Sequence, residues 1–441
     1  MLETPEQIRQ LQRKLYQKAK QEPKFRFYLL YDKVYRLDIL GHAYDLVREN
    51  KGAAGIDGLT FETIEGTEGG AKEYLENLAR ELKAKTYKPM PVRRVYIPKA
   101  DGSKRPLGIP TITDRIVQMA TKIVIEPIFE ADFQENSYGF RPKRSAHMAM
   151  DDIRQHLWAG RTQVIDADIS KYFDTIPHEK LLKEVAKRIV DKHILRLIKM
   201  WLTAPVVEED ENGKKKYQPN DKGTPQGGVI SPLLANIYLN ILNSLWKTQR
   251  IQEEYGARLI RYADDFVVLC RWNTERVRQG IERVLAHLGL NLNEQKTKML
   301  DAREESFNFL GFTVMLRKGP RTGKMFPLVT PSKKAMAQVR AEIKNLTREG
   351  YGILPISEVI KKLNWLARGW SNYFHYGNCG KQMMRIRGYL ENRVRKHLMR
   401  RQRKRGWGFK RYPYEYLYKE LGLYRIPTTP LWKTANAFGR R

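Results

Sequence analysis

Cysteine is almost missing from this chain of 441 residues: only Cys270 and Cys379 occur, far apart in sequence. That scarcity excludes a disulfide framework and a cysteine-based zinc site, and it suits a reducing, cytoplasmic setting. Long apolar runs are also missing. No stretch approaches the roughly 20 apolar residues of a spanning helix. Met1–Arg9 lacks the apolar core of a secretory signal, so no membrane partner is expected. Acidic residues are few beside basic ones: 49 Asp and Glu face 81 Lys and Arg, giving a formal net charge of +32 and a pI near 9.9. Such an excess points to a polyanionic partner, because Lys and Arg release counterions from phosphates on binding. Nucleic acid fits that better than a membrane surface. There is no convincing repeat and no long low-complexity tract. The apolar fraction of 41% is modest, yet apolar positions are periodic, so the chain is folded and long enough for two or three domains.

What is present centres on Arg261-Tyr-Ala-Asp-Asp-Phe-Val-Val-Leu269. β-branched and aromatic residues on both sides of a two-residue acidic centre predict a tight β-hairpin. Ala-Asp is not a favoured turn pair, which suggests that the acids serve chemistry rather than turn propensity. Adjacent carboxylates repel unless a cation sits between them, and a hard divalent ion such as Mg²⁺ takes oxygen ligands of this kind. Taken alone, the stretch also fits a surface hairpin with a solvated acidic tip.

Along the chain, residues 1–33 are rich in Gln, Lys, Arg and aromatics. They fit a basic helix lying on RNA or a solvated amphipathic arm equally well. Helical spacing follows over 35–47 and 71–82. Pro91–Pro98 alternates apolar and basic residues, and Asp101-Gly102 marks a turn. The result is a two-stranded finger carrying Arg93, Arg94, Lys99, Lys104 and Arg105, cations suited to a triphosphate. A helix is expected over 114–129. Then Asn136–Ser145, dense in Gly, aromatics and Arg, leads into a helix over 146–157. The segment 162–174 reads as a buried strand that delivers Asp168 at its end, followed by Tyr172 and Phe173. Asp166 lies within the apolar run, and Asp174 is read as a cap for the next turn. One helix is expected over 179–202, then an exposed hairpin over 206–221 with Asn212-Gly213 at its tip. Lys222–Pro232 contains Gly227-Gly228, which allow a ligand close to the backbone, and Gln226, a possible donor; it opens a helix over 233–246. A sheet-covering helix over 275–288, a lysine-bearing segment 291–298 and an aromatic, glycine-broken strand 307–312 follow. Composition shifts near 317–324, and the region beyond is helical and strongly basic. There Trp365, Trp370, Tyr373 and Phe374 read as core, and Arg393–Arg405 as a phosphate-contacting helix.

Finger, Asp168 strand, Gly-Thr-Pro-Gln-Gly-Gly loop and Tyr-Ala-Asp-Asp hairpin occur in an order that resembles the bacterial group II intron-encoded reverse transcriptases and maturases. The resemblance covers about residues 1 to 430. It implies an α+β right-hand polymerase with fingers, a palm with an antiparallel sheet, and a helical thumb, joined to a basic helical maturase region. The corresponding boundaries are 1–34 for a basic N-terminal extension, 35–315 for fingers and palm, and 325–441 for thumb and maturase. By the same match Asp168, Asp264 and Asp265 hold two Mg²⁺ ions, for which Mn²⁺ can substitute. Phe173 becomes the gate that screens the sugar 2′ position. Lys99 and Arg105 grip the incoming dNTP, Gln226 lies against nucleotide and template, and Lys296 protonates the pyrophosphate leaving group. Phe309–Phe312 resembles the primer grip, and Arg368–Phe374 the family's thumb. Arg141, Lys143, Arg144, Arg393, Arg395, Lys396, Arg400, Arg401 and Arg403 are the candidate nucleic-acid contacts. The partners so implied are an RNA template (group II intron RNA), a DNA primer or target, and dNTPs; a homodimer stays open. Many relatives carry a C-terminal His-Asn-His endonuclease with paired cysteines. No such cluster occurs here, so no DNA-nicking activity is expected, and mobility would use pre-opened DNA. Two other readings remain: an RNA-binding splicing cofactor with little polymerase activity, and a related reverse transcriptase in phage defence or CRISPR adaptation.

Overall fold

The computed structural model describes residues 2–98, 102, 104–209, 214–320, 322–348, 350 and 353–429. Its tertiary contacts divide the chain into two units, one formed by Met1–Ala149, Ala167–Val268 and Asn273–Thr297, the other by Met150–Asp166, Leu269–Trp272 and Lys298–Arg441.

In the first unit the helix Ile112–Glu130 is apolar on nearly every face, and Ile116, Val117, Ala120, Val124 and Ile125 are buried. Thr111 caps it by accepting from the Asp114 amide at 3.1 Å. A helix so apolar needs covering on several sides, and Leu37–Glu49 and Glu6–Gln21 pack against it. The N-terminal helix is therefore docked. Ile8, Leu15 and Ala19 point inward, Gln12 Nε2 donates to the Ile123 carbonyl (3.1 Å), and Arg188 holds the Ala19 carbonyl (2.7 Å). The helix is docked through its apolar face and is not a solvated arm.

The finger forms as expected, with β1 (Val92–Pro98) and β2 (Lys104–Ile109) antiparallel and Ile97 opposite Arg105. Lys99 lies outside the described residues. The expected exposed hairpin is β4 (Val206–Glu209) and β5 (Lys215–Gln218), but it does not stand free. β4 runs parallel to β1, and Val206 and Val207 are buried, giving the order β2-β1-β4-β5. Asn212-Gly213 falls outside the described residues.

The sheet that carries the acids has the order β6-β7-β3-β8, with β3 at Gln163–Asp168, β6 at Arg258–Tyr262, β7 at Asp265–Cys270 and β8 at Lys298–Asp301. Phe266 to Cys270 are all fully buried, as a central strand covered on both faces requires. Residues 178–203 form two helices, His178–Ala186 and Lys192–Thr203, where the sequence suggested one. Asp191 makes the break. Its Oδ1 caps the second helix, and its Oδ2 accepts from the Leu30 and Tyr31 amides at 2.9 Å each.

In the second unit, β9 (Phe307–Phe309), β10 (Phe312–Lys318) and β11 (Met325–Pro331) form one antiparallel sheet. The glycine-broken strand is thus a hairpin turning at Leu310-Gly311, both with positive φ (50° and 80°), the two-residue geometry that suits the strand twist. The composition shift near 317–324 falls on the β10–β11 turn, inside this sheet. Helices Lys333–Leu346, Ile356–Phe374 and Gly380–Arg401 pack through Val339, Ile343, Val359, Leu363, Ile386 and Leu390. Tyr373, Phe374 and Tyr376 gather around Phe312, with ring centroids 5.2–5.7 Å apart. Trp365, expected in the core, is instead 86% exposed.

Candidate active site

The turn between β6 and β7 is Ala263-Asp264, and Ala263 adopts a left-handed conformation, φ 59°. Alanine does so at a cost of roughly 1–2 kcal/mol, so neighbouring contacts must hold it. Arg261, fully buried beneath the turn, does much of this. Its Nη1 donates to the Ala263 carbonyl and to Asn236 Oδ1, both at 2.9 Å, and its Nε donates to Asn243 Oδ1 at 2.7 Å. From the other side, a Cβ on Gly139 would stand 2.4 Å from the Ala263 nitrogen, so only glycine permits that approach. Burial pushes the Arg261 guanidinium down to about 10, although Tyr172 and Asp264 pull the other way.

Asp264 is raised above the usual carboxylate range, first by burial. Asp168, at the end of β3, adds to the rise, while Arg105 and Arg261 oppose it. Carboxylates separated by nearly a hundred residues thus lie within each other's electrostatic reach. Asp168 is held in turn by the segment after the helix Thr274–Leu288. Ser170 donates to the Asn291 carbonyl (3.0 Å) and Asn293 to the Asp168 carbonyl (2.8 Å). That segment delivers Asn293 Nδ2 to Asp168 Oδ2 at 3.3 Å and Lys296 Nζ to the same oxygen at 3.1 Å.

A second row of polar contacts starts at the finger. Arg105 Nε donates to Gln226 Oε1 (2.9 Å), and Gln226 Nε2 donates to Asp174 Oδ1 and Oδ2 (3.2 and 3.3 Å). The glycine loop is pinned beside it: the Thr224 amide meets the Phe173 carbonyl at 2.7 Å and the Gly223 amide the Ile176 carbonyl at 2.8 Å. A Cβ on Gly227 would strike the Gly108 carbonyl oxygen at 2.4 Å. Phe173 is half-buried, with its ring edge-on to Tyr172 at 5.5 Å. Asp174 is therefore a receiver for Gln226, more than the cap its sequence position suggested.

The donor set is entirely oxygen, negatively charged and partly desolvated, which suits a hard divalent cation. Among the described residues, however, no three His, Cys, Asp or Glu side chains gather into a metal-holding group. Asp168 is engaged by Lys296 and Asn293.

The basic candidates divide. Arg141 is buried, ion-paired with Glu130 at 2.6 Å and bonded to the Gln134 and Ser137 carbonyls, so it braces its own loop and is not presented to phosphate. Lys143 is exposed, and Arg144 lies over Tyr138 at 5.6 Å. Arg395 is buried between Phe409 and Tyr414, at 4.9 and 4.6 Å, and donates to the Tyr412 carbonyl. It too is internal. Arg393 bonds Thr347 Oγ1 (2.9 Å), Arg400 the Thr347 carbonyl (3.0 Å) and Arg401 the Leu354 carbonyl (2.5 Å), while Lys396 sits 3.7 Å over Trp407. Arg403 is exposed.

The family model described as reverse transcriptase (RNA-dependent DNA polymerase) matches residues 97–314, and that of the group II intron maturase-specific domain matches 336–413. Protein YkfC of Escherichia coli K12 is 36% identical over 366 residues, covering 74% of this chain and 93% of that protein. The chain belongs to the group II intron reverse transcriptase/maturase family. Group II intron-encoded protein LtrA of Lactococcus lactis subsp. cremoris is 31% identical over 367 residues, 68% of this chain and 59% of LtrA, so the chain spans less than two thirds of that relative. A solved Candida albicans telomerase, in complex with a fragment of telomeric RNA, covers 81% of this chain and 71% of its own at 12% identity; its TM-score of 0.42 is too low to bear on the reading. As a member of this family the chain is an RNA-directed DNA polymerase of right-hand fold, a class that uses divalent metal ions and binds RNA. No described helix is long and apolar enough to cross a membrane. The sequence assigns no role of their own to Arg261, Asn236, Asn243 or Asn293. A signal existed for two of them: Asn236 and Asn243 lie seven residues apart on an otherwise apolar helix face.

Proposed function

We propose that this reverse transcriptase extends a DNA primer with dNTPs on an RNA template by two-metal phosphoryl transfer, working in the cytoplasm, and that it binds group II intron RNA to assist splicing and mobility. In this reading Asp168, Asp264 and Asp265 hold two Mg²⁺ ions. Such a pair, when bound, stabilises attacking and leaving oxygens together. The chain's own contribution is positioning and charge, because phosphoryl transfer needs little covalent help. Lys99 and Arg105 grip the triphosphate, and Gln226 sets the nucleotide against the template. Phe173 crowds the sugar 2′ position. Lys296 protonates the departing pyrophosphate, a role that its ion pair with Asp168 supports by keeping the ammonium at the site. Residues 35–315 serve as fingers and palm, and 325–441 as thumb and maturase region.

The observation that carries the reading is geometric: β7, which begins at Asp265, neighbours β3, which ends at Asp168, in one sheet. The upward shift of Asp264, caused first by burial and then by Asp168, agrees with it. Primer extension on an RNA template tests it. Asp264→Asn is expected to lower Mg²⁺-dependent synthesis by about a thousandfold or more, as losing a dominant electrostatic contact does, and to leave RNA affinity within twofold. Equal loss of synthesis and RNA binding would make Asp264 a structural acid.

A further inference from the structure

Arg261 is a costly choice for its position. A buried guanidinium loses its hydration and needs compensation from its surroundings. Among the described residues no carboxylate forms an ion pair with it, and its Nη2 has no hydrogen-bond partner. Its compensation comes from two asparagine oxygens and one main-chain carbonyl, that of Ala263. Both asparagines are tied down in their turn. Asn243 Nδ2 donates to Asn136 Oδ1 at 2.9 Å, and Asn236 Nδ2 donates to the Gly139 carbonyl at 2.7 Å. The same loop pairs with the Arg261 backbone, Arg261 N to the Asn136 carbonyl at 2.9 Å and Tyr138 N to the Arg261 carbonyl at 2.8 Å. The acidic turn is thus gripped by a guanidinium below and by Gly139 beside it.

We propose that Arg261 is a positioning residue for the catalytic carboxylates: its guanidinium ties the Ala263 carbonyl to the Asn236–Asn243 helix face and so fixes the left-handed turn that presents Asp264 and Asp265 to a divalent cation. This rests on the metal-site reading above. A lysine retains the charge but has no planar fork to reach Ala263 and both asparagines together. A methionine fills similar space without donors.

The test is Mn²⁺ binding to the full chain, followed by electron paramagnetic resonance, with the Mg²⁺ dependence of synthesis measured alongside. Arg261→Met is expected to weaken Mn²⁺ binding about tenfold and to raise the half-saturating Mg²⁺ concentration by a similar factor. The KM for dNTP at saturating metal should stay within twofold, because the finger contacts are untouched. Arg261→Lys is expected to fall between, about threefold weaker. Wild-type Mn²⁺ affinity in folded Arg261→Lys overturns the proposal, whether or not Arg261→Met folds, since charge alone would then suffice. Asp264→Asn separates the two layers. If it loses Mn²⁺ while the Arg261 variants retain it, only this inference fails; if it binds Mn²⁺ like wild type, the metal-site reading fails first.

Discussion

Arg261 in the first unit and Arg395 in the second are equally lost to solvent, at 0% and 1% exposure, yet they are compensated by different means. Arg261 is held by asparagine side-chain oxygens and the carbonyl of the acidic turn. Arg395 is held by two aromatic faces and the carbonyl of a packing segment. One cation braces the turn that carries the proposed catalytic acids; the other braces a bundle. The contrast shows that a net charge of +32 does not translate residue by residue into surface for RNA. Arg141 and Arg188 repeat the lesson, each buried and bonded to main-chain carbonyls.

Variants can break or sharpen this contrast. Arg395→Met should destabilise the second unit most. A desolvated cation–π contact is worth about 2 kcal/mol and a charged hydrogen bond about 1.5–3, offset in part by relief of the buried charge, so a net loss of about 2–3 kcal/mol is expected. Denaturant midpoints check this. A stable variant with weakened RNA binding would return Arg395 to the contact surface. In the first unit, Phe173→Ala should leave the fold intact and reduce discrimination against ribonucleotides about tenfold, read as the ratio of kcat/KM for dNTP over rNTP. Unaltered discrimination would remove its gating role. The smallest effect belongs to exposed cations beyond the basic helix. Replacing Arg403, Lys404 and Arg405 by Ser should shallow the salt slope of RNA affinity by about 2 at constant stability. An unchanged slope would place the RNA elsewhere.

The sequence was most legible where the signal is local. Apolar residues flanking Asp264-Asp265 specify a hairpin, and the alternation of Val92–Pro98 specifies a finger strand; both stand as expected. Legibility fell where partners are distant or where one residue interrupts a pattern. The 178–203 helix breaks at Asp191 because that carboxylate satisfies amides at residues 30 and 31, which no window around it contains. Trp365 misled because five residues carry a helix about 140° past Trp370, off the face that meets the core. Lys296 with Asp168, and Arg105 with Gln226, are pairs more than a hundred residues apart. Composition offered only their types; the fold supplies their partners.

Localised hydroxyl-radical cleavage with Fe²⁺ in the proposed cation site, driven by ascorbate and peroxide, tests the central claim most directly, since a bound iron cuts the backbone beside its ligands. Cuts at both 168 and 264–265, suppressed by excess Mg²⁺, are predicted. Cleavage at one segment without the other, or only elsewhere in the chain, would contradict a shared cation site.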